Sequence, residues 1–191
     1  MCIWWNLTRG YRDLLKMFVQ MIFTVAATFW ICVVYFVRSV FEDAHSQFYE
    51  NYKLLIFMVF IPVVLSAFSL SLSKKFSDEN MTNIKSFSLA DNEFLPVYLG
   101  YFFVGLSINS IEVLVFIYAL MLAFTYLSKS NYFNPLFILL GFHFYHIETV
   151  GGSRIFVIKK GKVAKNSNEI ENLNLKRIND SCFISFIGGS I

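Results

Sequence analysis

The sequence has little charge and little cysteine, and each deficit narrows what the protein can be. Only 15 % of its 191 residues are charged, whereas about a quarter are charged in an ordinary soluble domain, so the composition is that of a membrane protein. Its three cysteines, Cys2, Cys32 and Cys182, are widely spaced. That spacing predicts neither a disulfide framework nor a zinc site.

The sequence also lacks the motifs of common enzymes. No nucleophile is accompanied by a base and an orienting partner, no glycine-rich loop is placed to bind phosphate, and no pair of carboxylates forms an acid–base site. We therefore expect a protein that is not an enzyme and that uses no cofactor.

Long apolar runs are what the sequence does have. Hydrophobic residues make up 57 % of the chain and its mean hydropathy is +0.58, and the apolar residues come in runs long enough to cross a bilayer. The first run, residues 17–37, follows a basic interfacial segment at 1–16. It is longer than the ~7–15 residues of a signal-peptide core, so it predicts a retained first span. A second span is predicted at 54–73.

Residues 94–128 are too long for one span. As a single straight helix this segment would be about 52 Å long, against ~30 Å of hydrocarbon. Asn109-Ser110 is a turn-forming pair near its middle, so we predict a third span at 94–108 and a fourth at 111–128. Glu112 then lies in the first turn of the last helix, where a carboxylate is favoured.

The basic residues agree with four spans and a cytoplasmic N-terminus. All of the 16 Lys and Arg residues except Arg38 and Lys53 then lie on the inner side. A single span over 94–128 would instead export the basic residues that follow it and would break the positive-inside rule.

The chain after the fourth span changes character. Residues 131–148 predict a helix at the inner interface, starting at Asn134-Pro135. From 150 to 191, alternating β-branched segments predict a small β-rich region with too few residues for much of a core of its own. The predicted fold is thus mainly α, with four transmembrane helices, both termini cytoplasmic, and a β-rich C-terminal tail.

Four residues of the predicted membrane region are candidates for sensing or packing. Ser66 and Ser69 lie with Ser73 on one helix face, where small residues let another helix approach closely; alternatively, each serine hydrogen-bonds back to its own helix. Asn109 and Glu112 lie at the turn predicted to face the envelope. Intramembrane carboxylates often mark ion routes, but a charge at a helix start within reach of water is the favoured interpretation of Glu112.

The basic residues of the tail are candidates for partner binding. They are Arg154, Lys159, Lys160, Lys162, Lys176 and Arg177. Such a segment attracts anionic lipid, and direct binding to nucleic acid is not expected because this charge is ordinary for an inner-face segment. His143 and His146 have no evident third ligand, so an interfacial aromatic cluster is favoured over a metal site.

Three stretches together resemble a known family. The segments "LPVYLGYFFVGLSI", "NPLFILLGFHFYHIET" and "RIFVIKK" are similar to KwaA, the membrane component of the Kiwa anti-phage defence system. The resemblance implies an oligomeric bacterial inner-membrane protein with four spans that senses infection at the envelope. It also implies a separate cytoplasmic partner, KwaB, which engages phage DNA, and it carries over no catalytic residue.

These observations favour a non-enzymatic sensor or scaffold that relays envelope perturbation to a cytoplasmic effector. Two other classes stay open. One is a colicin-immunity-like protein that blocks a pore-forming toxin within the membrane, and this function would need the helices but not the tail. The other is an ion-conducting defence effector, which would need polar faces on several spans.

Overall fold

The computed structural model describes residues 2–42, 48–80, 84–128, 134–166, 170 and 174–186. The helices are α1 (Cys2–Thr28), α2 (Trp30–Glu42), α3 (Phe48–Ser73), α4 (Phe94–Ser107), α5 (Ile111–Leu127) and α6 (Pro135–Leu139). The strands are β1 (Asp78–Asn80), β2 (Ile84–Leu89), β3 (Phe142–Thr149), β4 (Arg154–Lys160), β5 (Asn174–Arg177) and β6 (Cys182–Ser185).

The chain divides into two compact units. The helical unit contains residues 23–68 and 92–136, and the sheet unit contains residues 1–22, 69–91 and 137–191. Each unit therefore draws its residues from separate parts of the chain.

In the helical unit, α2 packs against α4 and α5. Its buried core is formed by Ile31, Cys32, Tyr101, Ile108 and Leu114. The approach of α2 to α4 requires a glycine, because a Cβ on Gly105 would lie 2.9 Å from the Cβ of Val34 and 3.0 Å from the carbonyl oxygen of Ile31.

The predicted break between α4 and α5 is confirmed as a helix boundary. Ile108 is extended, with φ −81° and ψ 126°, so it ends α4. Ser110 is also extended, and its hydroxyl accepts a hydrogen bond from the backbone N–H of Val113 at 3.4 Å. Capping by a serine satisfies one of the free N–H groups at the start of α5.

The prediction of four membrane spans is wrong. Among the described helices, only two segments are long and apolar enough to cross a membrane, Leu14–Glu42 and Tyr52–Ser73. With 14 and 17 residues, α4 and α5 are about 21 Å and 26 Å long, against ~30 Å of hydrocarbon. The count of Lys and Arg residues that placed both termini in the cytoplasm assumed four crossings, so it no longer supports that topology.

The sheet unit contains a six-stranded sheet in the order β1-β5-β6-β4-β3-β2. Neighbouring strands are antiparallel except β4 and β6, which are parallel. One face carries a core of fully or almost fully buried side chains: Tyr145, Ile147, Val157, Ile170, Leu175 and Phe183. The hydroxyl of Tyr145 accepts a hydrogen bond from the backbone N–H of Ala164 at 2.8 Å, so the one polar atom of this large side chain is satisfied.

The β-rich region is not a C-terminal tail. Although β4, β5 and β6 come from the predicted 150–191 region, β1 and β2 precede α4 in the chain. The sheet therefore builds a larger core than the last forty residues allow alone.

The predicted interfacial helix over 131–148 is also wrong where it is described. Helix occupies only Pro135–Leu139, and β3 follows from Phe142; residues 129–133 lie outside the described part of the chain. Gly141 separates the two elements with φ +78°, which favours glycine. Pairing of β3 with β4 along its whole length outweighs the helical preference of the apolar run.

Candidate functional site on the sheet

A groove of about 440 Å³ lies over β2, β3 and β4 in the sheet unit. It is lined by Ser86, Phe87, Ser88, His146, Ile147, Glu148 and Arg154. Strand register explains why its polar residues meet: Ser86 lies opposite Glu148, and Glu148 lies opposite Arg154. Because register partners share a face of the sheet, three distant parts of the sequence form one polar surface.

Lys85 and Ser86 both hydrogen-bond the carboxylate of Glu148 at one side of this groove. The ammonium of Lys85 donates to Glu148 Oε1 at 3.0 Å, and the hydroxyl of Ser86 donates to Glu148 Oε2 at 3.4 Å. The hydrogen bond and the positive charge of Lys85, with smaller contributions from Ser86 and Arg154, lower the pKa of Glu148 below its ordinary value.

Arg154 supplies the available positive charge in the groove. Its side chain is exposed, and among the described residues its guanidinium donates no hydrogen bond. A planar guanidinium with free donors suits a carboxylate or phosphate group.

The six basic candidates do not form one patch. Lys176 pairs with Asp78 at 2.6 Å, and Arg177 pairs with Glu79 at 3.3 Å; Arg177 also pairs with Asp180 at 2.9 Å. These two residues thus join β5 to β1 and to the turn after β5.

The other basic candidates differ in exposure. Arg154 and Lys160 are exposed at opposite ends of β4, about 20 Å apart at ~3.3 Å per residue. Lys160 lies 5.8 Å from the ring centroid of Phe142, and Lys162 is exposed beyond the strand. Lys159 is buried. Sequence reasoning missed that burial because it did not place β4 in the centre of a sheet.

In the helical unit, Ser66 is a buried packing contact. Its hydroxyl donates to the carbonyl oxygen of Pro62 at 2.6 Å and accepts from the side-chain amide of Asn134 at 2.7 Å. The alternative of a hydrogen bond back to its own helix is therefore realised, and Ser66 also contacts Asn134, just before α6. Ser69 is buried too, and its carbonyl oxygen accepts from the hydroxyl of Ser73 at 2.8 Å in the sheet unit's part of α3.

Asn109 and Glu112 are both exposed. Asn109 lines a smaller pocket of about 210 Å³ with Arg38, whose guanidinium donates to the carbonyl oxygens of Leu106 and Ile108 at the end of α4. Hydrogen bonds from its own backbone N–H and from Ser110 lower the pKa of Glu112, as expected for a carboxylate in the first turn of a helix.

The two histidines considered for a metal lie on a strand, where residues three apart face opposite sides. His143 Nδ1 hydrogen-bonds Asp91 Oδ2 at 2.6 Å, and Asp91 Oδ1 accepts from the backbone N–H of Phe144 at 2.7 Å. Sequence reasoning missed this pair because it assigned residues 131–148 to a helix. In the described part of the chain, no three His, Cys, Asp or Glu side chains are grouped to hold a metal ion.

Comparison with known proteins adds one match. A family model described as "Anti-phage protein KwaA" matches residues 19–184, which include both units in large part. Searches among curated proteins and among solved structures found no match.

Proposed function

Because the chain belongs to the KwaA family of anti-phage proteins, which supports a role in anti-phage defence, we propose that it is a non-enzymatic sensor and scaffold. In this proposal it is anchored in the bacterial inner membrane and passes envelope perturbation to a cytoplasmic effector. The effector is the KwaB-like partner that the family resemblance implies.

The exposed apolar face of α3 carries this proposal. Tyr52–Ser73 is predominantly apolar, yet only 22 % of its most apolar window is buried. Phe57 and Phe60 are each 61 % exposed, and Val64 and Phe68 are nearly half exposed. A core helix of a soluble protein hides such side chains, whereas in a membrane the lipid covers them.

Exposed side chains of α4 and α5 also support a membrane environment for the helical unit. Large apolar side chains of α4 and α5 are exposed as well, including Phe103, Val115, Phe116 and Phe124. Lipid or further copies of the chain would cover this surface, so the proposal includes contact with membrane lipid and a homo-oligomer.

In this proposal, the effector binds to the groove over β2, β3 and β4. Arg154 offers a guanidinium without a hydrogen-bond partner among the described residues, beside the His146 ring and the serines of β2. We assign it to an acidic segment of the effector, for which charge complementarity would give specificity and speed of association.

One experiment tests anchoring and relay together. Phe60→Arg places a charge on the exposed face of α3, and Val150→Arg places the same charge at an equally exposed apolar position in the β3–β4 turn, where Val150 is 68 % exposed. Insertion of arginine at a helix centre costs about 2.5–3.5 kcal/mol. Phe60→Arg should therefore lose resistance to alkaline extraction from membranes and lose protection in phage plating, while Val150→Arg keeps both.

Binding of the effector is tested by reversing the charge of a basic residue. Arg154→Glu should stay in the membrane but lose co-purification of the KwaB-like effector, whereas Lys162→Glu, a basic exposed position outside the groove, should retain it. Phe60→Arg that remains fully membrane-embedded would contradict the anchor. Equal effector recovery from both charge-reversed variants would contradict the groove as docking site.

A further inference from the structure

Two cavities of the helical unit meet at Arg38 and Glu42. One is the polar pocket of about 210 Å³, which also includes the side chains of Tyr35, Ser39 and Asn109. The other is a cleft of about 470 Å³ along α2 and α4, and this size lies within the ~300–1,000 Å³ of small-molecule sites. The remaining side chains that line the cleft are all apolar: Val34, Val37, Phe41, Phe102 and Leu106.

Hydrogen bonds hold the guanidinium of Arg38 where the two cavities meet. Its Nε donates to Glu42 Oε1 at 2.8 Å, and its Nη1 donates to the carbonyl oxygens of Leu106 and Ile108. Among the described residues, Arg38 Nη2 donates no hydrogen bond and Glu42 Oε2 accepts none. A cationic donor and an anionic acceptor are therefore available side by side.

Arg38 and Glu42 lie at the end of Leu14–Glu42, a segment long and apolar enough to cross a membrane. Its 29 residues are about 43 Å long at ~1.5 Å per residue, against ~30 Å of hydrocarbon, so its last turns reach the depth of lipid headgroups. Val34 and Val37 precede these turns. The cleft thus runs from the hydrocarbon region to a charged pair at headgroup depth.

We propose that the cleft binds one phospholipid with an ethanolamine headgroup. An acyl chain lies along the apolar lining, the phosphate contacts Arg38 and the ammonium contacts Glu42, as suits the geometry of a guanidinium and a carboxylate. This inference rests on the membrane anchoring in the proposed function. Since lipid tails cover any apolar surface equally well, the headgroup and not the acyl chain selects the ligand.

The charges of the headgroup distinguish this lipid from others. Phosphatidylglycerol has a phosphate for Arg38 but no cation for Glu42. Phosphatidylcholine has a cation, but its quaternary ammonium carries no N–H group that could donate to a carboxylate oxygen. Phosphatidylethanolamine supplies both the phosphate and the N–H donors, so it satisfies both members of the charged pair.

The test measures lipid binding to the full-length, detergent-solubilised protein by native mass spectrometry. The probes are dioleoyl phosphatidylethanolamine, dioleoyl phosphatidylcholine and dioleoyl phosphatidylglycerol, titrated separately. We expect the wild type to bind the ethanolamine lipid roughly tenfold more tightly than the other two, as one additional charge-assisted hydrogen bond would give. Glu42→Gln should abolish this preference. Glu112→Gln removes an exposed carboxylate of the same unit that lines neither cavity, so it should retain the preference.

A second pair of variants tests the cleft itself. Leu106→Trp fills the cleft but keeps the backbone oxygen to which Arg38 donates, so it should weaken binding of the ethanolamine lipid at least about tenfold. Leu99→Trp makes the same change at a leucine of α4 that is 55 % exposed and lines neither cavity, and it should bind like the wild type. Thermal melts show whether each variant is folded.

Alkaline extraction from membranes separates this inference from the proposed anchor. A wild type that stays embedded but binds the three lipids equally would overturn the lipid site and leave the anchor intact, whereas a wild type released by alkali would contradict both. An undiminished preference in Glu42→Gln, or equal lipid binding by the two tryptophan variants, would also overturn the site. The side chain of Glu42 is 60 % exposed, so Glu42→Gln is expected to fold even if Leu106→Trp does not.

Discussion

The same kinds of apolar residue are used in opposite ways in α3 and β4. In α3 the phenylalanines and valines are largely exposed, whereas in β4 the residues Ile155–Ile158 are all buried. The helical unit therefore leaves large apolar side chains exposed, whereas the sheet unit buries its own. The comparison shows that hydrophobicity along the chain does not reveal which apolar segments stay exposed and which form a core.

Truncation of Tyr145, the largest fully buried side chain among the described residues, should break this comparison most strongly. Tyr145→Ala removes a fully buried ring and the acceptor of the Ala164 N–H, which we expect to cost about 3–5 kcal/mol. Hydrogen exchange by mass spectrometry should show β3 and β4 unprotected while α2 and α4 stay protected.

The control for this variant is Leu139→Ala, since Leu139 is 81 % exposed and its truncation should change exchange in neither unit. Simultaneous loss of protection in the helices of Tyr145→Ala would show that the two units do not unfold separately.

Two glycines of α4 test how closely the helices of the helical unit pack. Gly105→Ala should destabilise the packing of α2 on α4 by about 1–3 kcal/mol, because its Cβ meets Val34 and a backbone oxygen. Gly100→Ala has open space around the added Cβ and should stabilise the same helix by roughly 0.5–1 kcal/mol. Thermal melts followed at 222 nm measure both, and shifts of the same sign would contradict the close approach.

The smallest expected effect is the acid response of Glu148. Its pKa is lowered in the folded protein, mainly by Lys85, so its contribution to stability is present above the unfolded value near 4.5 and is lost as the pH falls through the lowered pKa. Glu148→Gln should lower the melting temperature slightly at pH 7 and match the wild type in strong acid.

Far-UV melts at 218 nm between pH 3 and pH 7 measure this difference. Glu112→Gln removes a carboxylate whose pKa is also lowered, but in the helical unit. It should leave the acid response of the sheet unchanged, and the same loss in both variants would argue against a local origin at Lys85.

Local patterns in the sequence were sufficient for several elements. The turn pair Asn109-Ser110 predicted the boundary between α4 and α5, and the β-branched segment at 154–160 predicted β4. In both cases the signal is contained in a few adjacent residues.

The predictions that failed concern segments whose structure depends on residues far away in the sequence. β3 has a partner on each side, β2 and β4, and pairing on both sides turns an apolar run next to Asn134-Pro135 from helix to strand. Length arithmetic added two spans because it accepted 94–108 and 111–128 as short crossings, although helices of 14 and 17 residues are shorter than the ~30 Å of hydrocarbon. The groove depends on strand register, which a single sequence does not display.

The first strands of the sheet cannot pair as soon as they are synthesised, because their partner strands come much later in the chain. Asp78 of β1 pairs with Lys176 of β5, and at ~5–20 residues per second the ribosome needs roughly 5–20 s to reach that partner. During this time β1 is without its neighbour, and β2 is without its neighbour for a shorter time, because β3 begins at Phe142. β1 consists of Asp-Glu-Asn, and β2 contains a Lys and two Ser. These residues reduce the risk of aggregation before the partner strands are synthesised, because polar and charged strands are poor templates for aggregation.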